Sequence, residues 1–222
     1  MLKNYQEKLD HINTLVTDVA GKVLNAHKIA LDSFERKDIK EFESVLQLVK
    51  TLDEEAREID NEIVKTIALF GPEATHLREL IAYIKLTNEI VRIGDYAKTY
   101  AKNISTHIKN DIRFEDVDAY ILQLHETAIE ALEFALAMLE ESDIEEIEDL
   151  YRKTLVEESK TDEIFKLFEK ELISNLCEDV NKLIDYLNIL STCRKLERTA
   201  DRAVEVAKLL IFAKKGGRLE IF

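Results

Sequence analysis

One proline and five glycines are spread through 222 residues. A chain so poor in helix breakers has few places to turn, and long helices are the structure that tolerates this best. Apolar residues recur with helical spacing nearly throughout. Residues 3–32 carry Leu15, Val19, Val23, Ala26, Ile29 and Ala30 on one face. Ser33 to Lys37 interrupts that pattern, and Asp38 with Glu41 three residues later reads as a capping box. The second predicted helix runs unbroken to about Leu69, where Gly71-Pro72 stops it. Pro72 suits the first position of a third helix, since its missing N–H costs nothing there. That helix extends to about His107, past Leu77, Leu80, Ile81, Ile84 and Val91.

After a polar segment at 110–115 the pattern begins again. A fourth helix reaches about Glu140, and Asp143 with Glu146 forms a second capping box for a fifth, to about Leu172. Ser174-Asn175 is expected to break it, and a sixth helix spans about 178–214 before Gly216-Gly217. Asp38-Ile39 recurs 105 positions on as Asp143-Ile144, and Asp95 recurs 106 positions on as Asp201. Leu77, Ile81 and Ile84 map onto Leu183, Leu187 and Leu190. This is an internal duplication, which governs how every single motif is read. The expected fold is all-α, a tandem duplication of an antiparallel three-helix bundle with six long helices, the repeats being 1–109 and 110–222.

Charge and composition exclude several classes. A formal net charge of −14 repels nucleic acid and anionic lipid over most of the surface. No apolar run approaches a membrane span, and no leader-like segment opens the sequence. Cys177 and Cys193 are too few for a disulfide scaffold and read as small apolar residues in a reducing compartment. No Gly-rich phosphate loop, GxSxG or Cys/His nucleophile pattern occurs, so the chain is not expected to be an enzyme. Glu73 and His76 form a single Glu-x-x-His, half of what a di-iron site needs, and Gly94 within a helix suggests close packing.

Paired carboxylates remain. The string RKLERTADRAVEVAK places Glu197 and Asp201 one turn apart on one helix face, and VEESKTDEI does the same with Glu158 and Asp162. On adjacent antiparallel helices the two pairs can meet, and four oxygen ligands without His or Cys suit Mg, Mn, Fe or Ca. A solvated acidic face is the alternative for either pair taken singly. A carboxylate-bridged enzyme or metal store is the alternative function.

PEATHLRELIAYIKLTNEIVRIGDYAKTYAKNI resembles the third helix of PhoU proteins, and KLERTADRAVEVAKLLIFAKKG resembles a second copy of that motif. The resemblance extends over nearly the whole chain. It implies tandem three-helix bundles in a phosphate-signalling and phosphate-transport regulator that lies in the cytoplasm and forms a homodimer. It implies a phosphate ABC-transporter subunit and a sensor kinase as partners. It also implies a hard metal ion (Fe, Mn, Mg, Zn or Ca) on paired acidic motifs. Those motifs match Glu158, Asp162, Glu197 and Asp201 in the second repeat and only Asp53 and Asp95 in the first. Val91 and Arg57 stand where the first repeat's other two acids are expected. Arg57 is therefore expected to supply a substitute positive charge by pairing with Asp53, Asp95 or both.

Overall fold

The computed structural model describes residues 2–110, 117–178 and 183–216, with side chains for 4–110, 117–174 and 183–216. All regular structure among them is helical: α1 Leu2–Arg36, α2 Ile39–Leu48, α3 Leu52–Phe70, α4 Ala74–Lys109, α5 Asp118–Ala137, α6 Ile144–Glu178 and α7 Leu183–Lys215. Helices α1, α2, α3 and α4 pack together as one bundle, and α5, α6 and α7 as a second. The two are joined along α4 and α7, with a smaller contact between α1 and α5. The all-helical tandem architecture agrees with the sequence reading.

Cross-links give the helix directions. Arg202 donates to Glu89 at 2.8 Å and Asn103 to Thr192 at 3.1 Å, so α4 and α7 run antiparallel. Lys8 bonds Glu62 and Lys22 bonds Glu55, so α1 opposes α3. None of the described helices is long and apolar enough to cross a membrane.

Several boundaries differ from expectation. Ser33 does not interrupt α1; its hydroxyl is satisfied by the Ile29 carbonyl at 2.6 Å, and the helix continues to Arg36. Asp38 caps α2 through Lys40 and Glu41 N–H, but its own N–H goes to the Ser33 carbonyl. Asp143 likewise accepts from Glu145 N–H while donating its own to Glu141. Both acids are thus caps with their own N–H groups satisfied outside the box. Pro72 precedes the helix instead of opening it, since α4 begins at Ala74 with Glu73 as N-cap. Gly71 ends α3 in the left-handed conformation at φ 54°, which glycine adopts without cost. Ser174-Asn175 does not break α6, which runs on to Glu178. Gly216 does end α7, at φ 79°. Cys193 is buried as expected, whereas the side chain of Cys177 lies outside the described residues.

The expected unbroken second helix is two helices. Around Val49–Thr51 the regular ladder gives way to three-residue bonds, Lys50 N–H to Gln47 and Leu52 N–H to Val49. Thr51 restarts it: its carbonyl accepts from both Glu54 and Glu55, and its hydroxyl donates to Glu55 at 2.6 Å. No glycine or proline marks the site, so composition does not reveal it. Leu52, 3% exposed, points at Gly94 of α4. A Cβ on Gly94 would lie 2.3 Å from Leu52 Cδ1 and 3.2 Å from Val23 Cγ2. Gly94 therefore sits where α4 approaches its neighbours most closely.

Between the bundles lies a buried polar node. His27 Nδ1 and His125 Nε2 are 3.3 Å apart, and His27 Nε2 meets the Ile93 carbonyl at 3.2 Å. Both rings are fully buried, and Tyr100 lies edge-on to His125 at 4.8 Å. Burial pushes His27 down to about 4, against the pull of the Ile93 bond. Burial lowers His125 as well, with His27 adding to the effect.

Two outcomes follow from this packing. Gly94→Ala gains about 1 kcal/mol of helix propensity but overpacks against Leu52 and Val23, so urea unfolding should show a net loss of about 1–2 kcal/mol. Leu52→Ala in the same chain should relieve part of that loss. The histidines are neutral when folded and bind protons when unfolded. Stability should therefore fall as pH drops from about 6.5 to about 4, by about 1.4 kcal/mol per pH unit from His27, with His125 acting in the same direction. Urea midpoints measured across that range should show a shallower slope for His27→Gln.

Candidate metal centre

Helices α6 and α7 run antiparallel as neighbours: Lys215 bonds Glu148, and Arg194 faces Glu169. This geometry brings the two acidic pairs to the same level. Oxygens of Glu158, Asp162 and Asp201 all lie within 4.8 Å of one another, with Glu158 and Asp162 half-buried and Asp201 at the more open edge. Spacing of this order matches the coordination sphere of a hard cation, whose oxygen ligands sit about 2.0–2.6 Å from it. The donor set is all carboxylate, and among the described residues no histidine or thiolate joins it.

Electrostatics mark the cluster as undercompensated. The Glu158 carboxyl is raised by burial, then by Asp162 and Asp201. Asp201 is raised by burial, then by Asp162, with Arg202 and Arg198 opposing. Glu197 is raised by burial and by Asp201. Carboxylates that repel one another in a partly desolvated place call for positive charge. Lys166 supplies a little, 3.8 Å from Asp162 but 72% exposed. The residues therefore fit a hard metal ion, held by Glu158, Asp162 and Asp201.

Glu197, the fourth expected ligand, lies outside that group of three. It is ion-paired with Arg194 at 3.9 Å instead. In the first repeat, Asp53 and Asp95 are both exposed and belong to no group of three possible ligands among the described residues. Val91 packs against the core as expected. Arg57 does not carry out the expected substitution. It is exposed, and its Nε donates to the backbone carbonyl of Asp53 at 2.9 Å, one turn back on its own helix. Among the described residues no ion pair links it to Asp53 or Asp95. The reason is its outward position on α3, where a solvated guanidinium gains nothing by turning toward another helix. Glu73 and His76 form no site: Glu73 caps α4 by its backbone and His76 packs on Tyr5 at 5.4 Å.

Sequence reasoning counted acids and overlooked the bases beside them. A cleft of about 890 Å³ opens from Glu158 and Asp201 toward α4, lined also by Arg92, Arg198, Arg202 and Lys208. Arg202 bonds Glu89 across the α4–α7 seam, and Lys208 bonds Glu205 at 2.8 Å. The Arg194–Glu197 spacing was visible in RKLE, but nothing in one helix's sequence says that it stands beside a cluster formed with another.

The family model for the PhoU domain matches residues 16–104 and again 121–210. A phosphate-specific transport system accessory protein PhoU homolog of Xylella fastidiosa is 26% identical over 99% of this chain and 90% of its own length. PhoU homolog 1 of Methanothermobacter thermautotrophicus is 25% identical over 94% of this chain and 93% of its own. The crystal structure of PhoU from Pseudomonas aeruginosa superposes with a TM-score of 0.88 at 22% identity, covering 96% of this chain and all of that one. The phosphate transport system regulatory protein PhoU from Streptococcus pneumoniae gives 0.83 at 18% identity, over 98% of this chain and all of that one. These structures share the fold.

A stability test isolates the cost of the acidic cluster. The raised carboxyls hold their protons more tightly when folded, so stability is greatest below the ordinary carboxyl range and is lost as pH rises through the shifted values. Asp201→Asn removes one of the repelling charges. In chelator-treated protein at pH 7 it should raise Tm by a few degrees, and the gain should shrink at pH 4. A Tm that falls at pH 7 would mean that the cluster is already neutralised by its neighbours.

Proposed function

The chain belongs to the PhoU family, and from that premise we propose that it is a PhoU-type regulator of phosphate uptake and phosphate-starvation signalling. It acts by protein–protein contact, with a hard metal ion bound in the second repeat. The observation that carries this reading is the pair of PhoU domains in a chain whose relatives are named as accessory proteins of phosphate transport. The convergence of Glu158, Asp162 and Asp201 supports the metal component. Repeats 1–109 and 110–222 each contribute one bundle, and the protein works in the cytoplasm as a homodimer.

The partners on this reading are a subunit of a phosphate ABC transporter and its associated sensor kinase, and nucleic acid is not among them. The net charge of −14 suits basic protein surfaces and disfavours phosphodiester backbones. When bound, the metal supplies positive charge that ties α6 to α7. Glu158 and Asp162 present their carboxylates from one helix, one turn apart, and Asp201 presents its own from the other. Partial burial of Glu158 and Asp162 restricts water around their oxygens and so strengthens their hold on a cation. The role is regulatory, not enzymatic: binding shifts the signalling state of the partner.

Deleting the gene should leave phosphate uptake and a phosphate-starvation reporter switched on in phosphate-rich medium. The wild-type chain should restore repression and co-purify with the transporter's ATPase subunit. Normal repression in the deletion strain would contradict the regulatory reading. Turnover of a phosphate ester or of a redox substrate by the pure metal-loaded protein would favour the enzyme alternative.

A further inference from the structure

Arg194 stands between two acids. One guanidinium nitrogen is 3.9 Å from Glu197 and another is 3.9 Å from Glu169, while the group lies over the Phe165 ring at 4.6 Å. Both ion pairs are longer than a direct hydrogen bond, so neither acid is firmly held. Glu197 belongs to the same face of α7 as Asp201, one turn before it. Its carboxyl feels Asp201 and Asp162, so it lies within electrostatic range of the cluster that it does not join. A hard cation held by three carboxylates lacks part of its usual six or more ligands. Glu197 is the acid next in line, and Arg194 is its ion-pair partner.

We propose that Arg194 is a positioning residue that sets the cation affinity of the second-repeat site. It restrains Glu197 in the metal-free protein, and a cation draws Glu197 into its coordination sphere while Arg194 falls back on Glu169. This inference rests on the metal reading of that site.

Three features support it. Arginine keeps its charge at any relevant pH, so it neutralises Glu197 whenever the cation is absent. The fallback is already in place, because Glu169 and Phe165 retain the guanidinium after Glu197 leaves and no charge is stranded. The repeats supply an internal comparison: positions equivalent to Glu169, Arg194 and Glu197 in the first bundle are Val64, Asn88 and Val91. All three members are missing together, in the repeat where Asp53 and Asp95 find no third partner. An arginine serving only to solubilise the surface would have no reason to appear and disappear with the cluster.

The test is calorimetric titration of Mn²⁺ into metal-free full-length protein. Arg194→Gln should tighten binding by roughly fivefold or more, because it frees Glu197 to join the coordination sphere. Glu197→Gln should weaken binding. In the Glu197→Gln background, Arg194→Gln should have an effect of less than about twofold, since the restraint acts through that acid. Lys166→Gln removes an equal charge from beside Asp162, but at 72% exposure it should change affinity by less than about twofold. Terbium luminescence lifetimes supply a structural readout: Glu197→Gln should bind the ion with one more water than wild type. Arg194→Gln tightening binding equally in both backgrounds would overturn the proposal, since the arginine would then be only a remote charge. Unchanged affinity in Arg194→Gln, with binding still abolished by Asp201→Asn, would also overturn it and leave the metal reading standing. Absence of saturable Mn²⁺ binding to both wild type and Arg194→Gln would overturn the metal reading and this proposal together.

Discussion

Helices α4 and α7 run antiparallel in the most extensive contact between any two helices of the molecule. Their register is pinned by Arg202 on Glu89 and Asn103 on Thr192. Each is the last helix of its bundle, and this seam, with the smaller α1–α5 contact, joins the four-helix first bundle to the three-helix second. It also decides where chemistry can occur. With one side of α7 against α4 and another against α6, the line carrying Glu197, Asp201 and Glu205 falls at the edge where the three helices meet. The cleft there is walled by α4 and α7, and the carboxylate cluster lies where α6 comes in.

The site departs from the acid–base pairing that serves much of the fold. Many acids along the helices find lysine or arginine partners, as Glu62 does with Lys8 and Lys65. At Glu158, Asp162 and Asp201 the helices bring acids toward acids, and the nearby bases are either committed elsewhere or exposed. Such an arrangement opposes folding unless it is compensated, and a bound cation is the compensation that the geometry suits. The first bundle resolves the same position differently. Val91 packs as an apolar residue, Asp53 and Asp95 stay in solvent, and Arg57 folds back on its own helix. The duplication has thus left one half of the molecule as scaffold and the other as the candidate site.

Much of this was legible in the sequence, because helix periodicity and scarce breakers leave few alternatives. Both bundles, the cap residues Asp38 and Asp143, and the packing role of Gly94 could be read from spacing alone. The break at Val49–Thr51 could not, since it lies where Leu52 packs against Gly94, 42 positions away, and no glycine or proline marks it. Ser174-Asn175 misled in the opposite direction, because both residues can be accommodated within a helix when the chain around them continues it. At the site, the acids followed from i, i+4 spacing and the repeat. The partition of Glu197 from the other three did not follow. It depends on Arg194 being flanked by Glu169 and Phe165 of another helix, and helical spacing within α7 carries no information about that.

On the proposed reading, α6 and α7 together hold a hard cation. The most direct measurement is an anomalous-scattering map from crystals of the untagged protein grown with Mn²⁺. A peak is expected between the two helices, about 2.0–2.6 Å from oxygens of Glu158, Asp162 and Asp201. No peak there, or a peak confined to the first bundle, would contradict it.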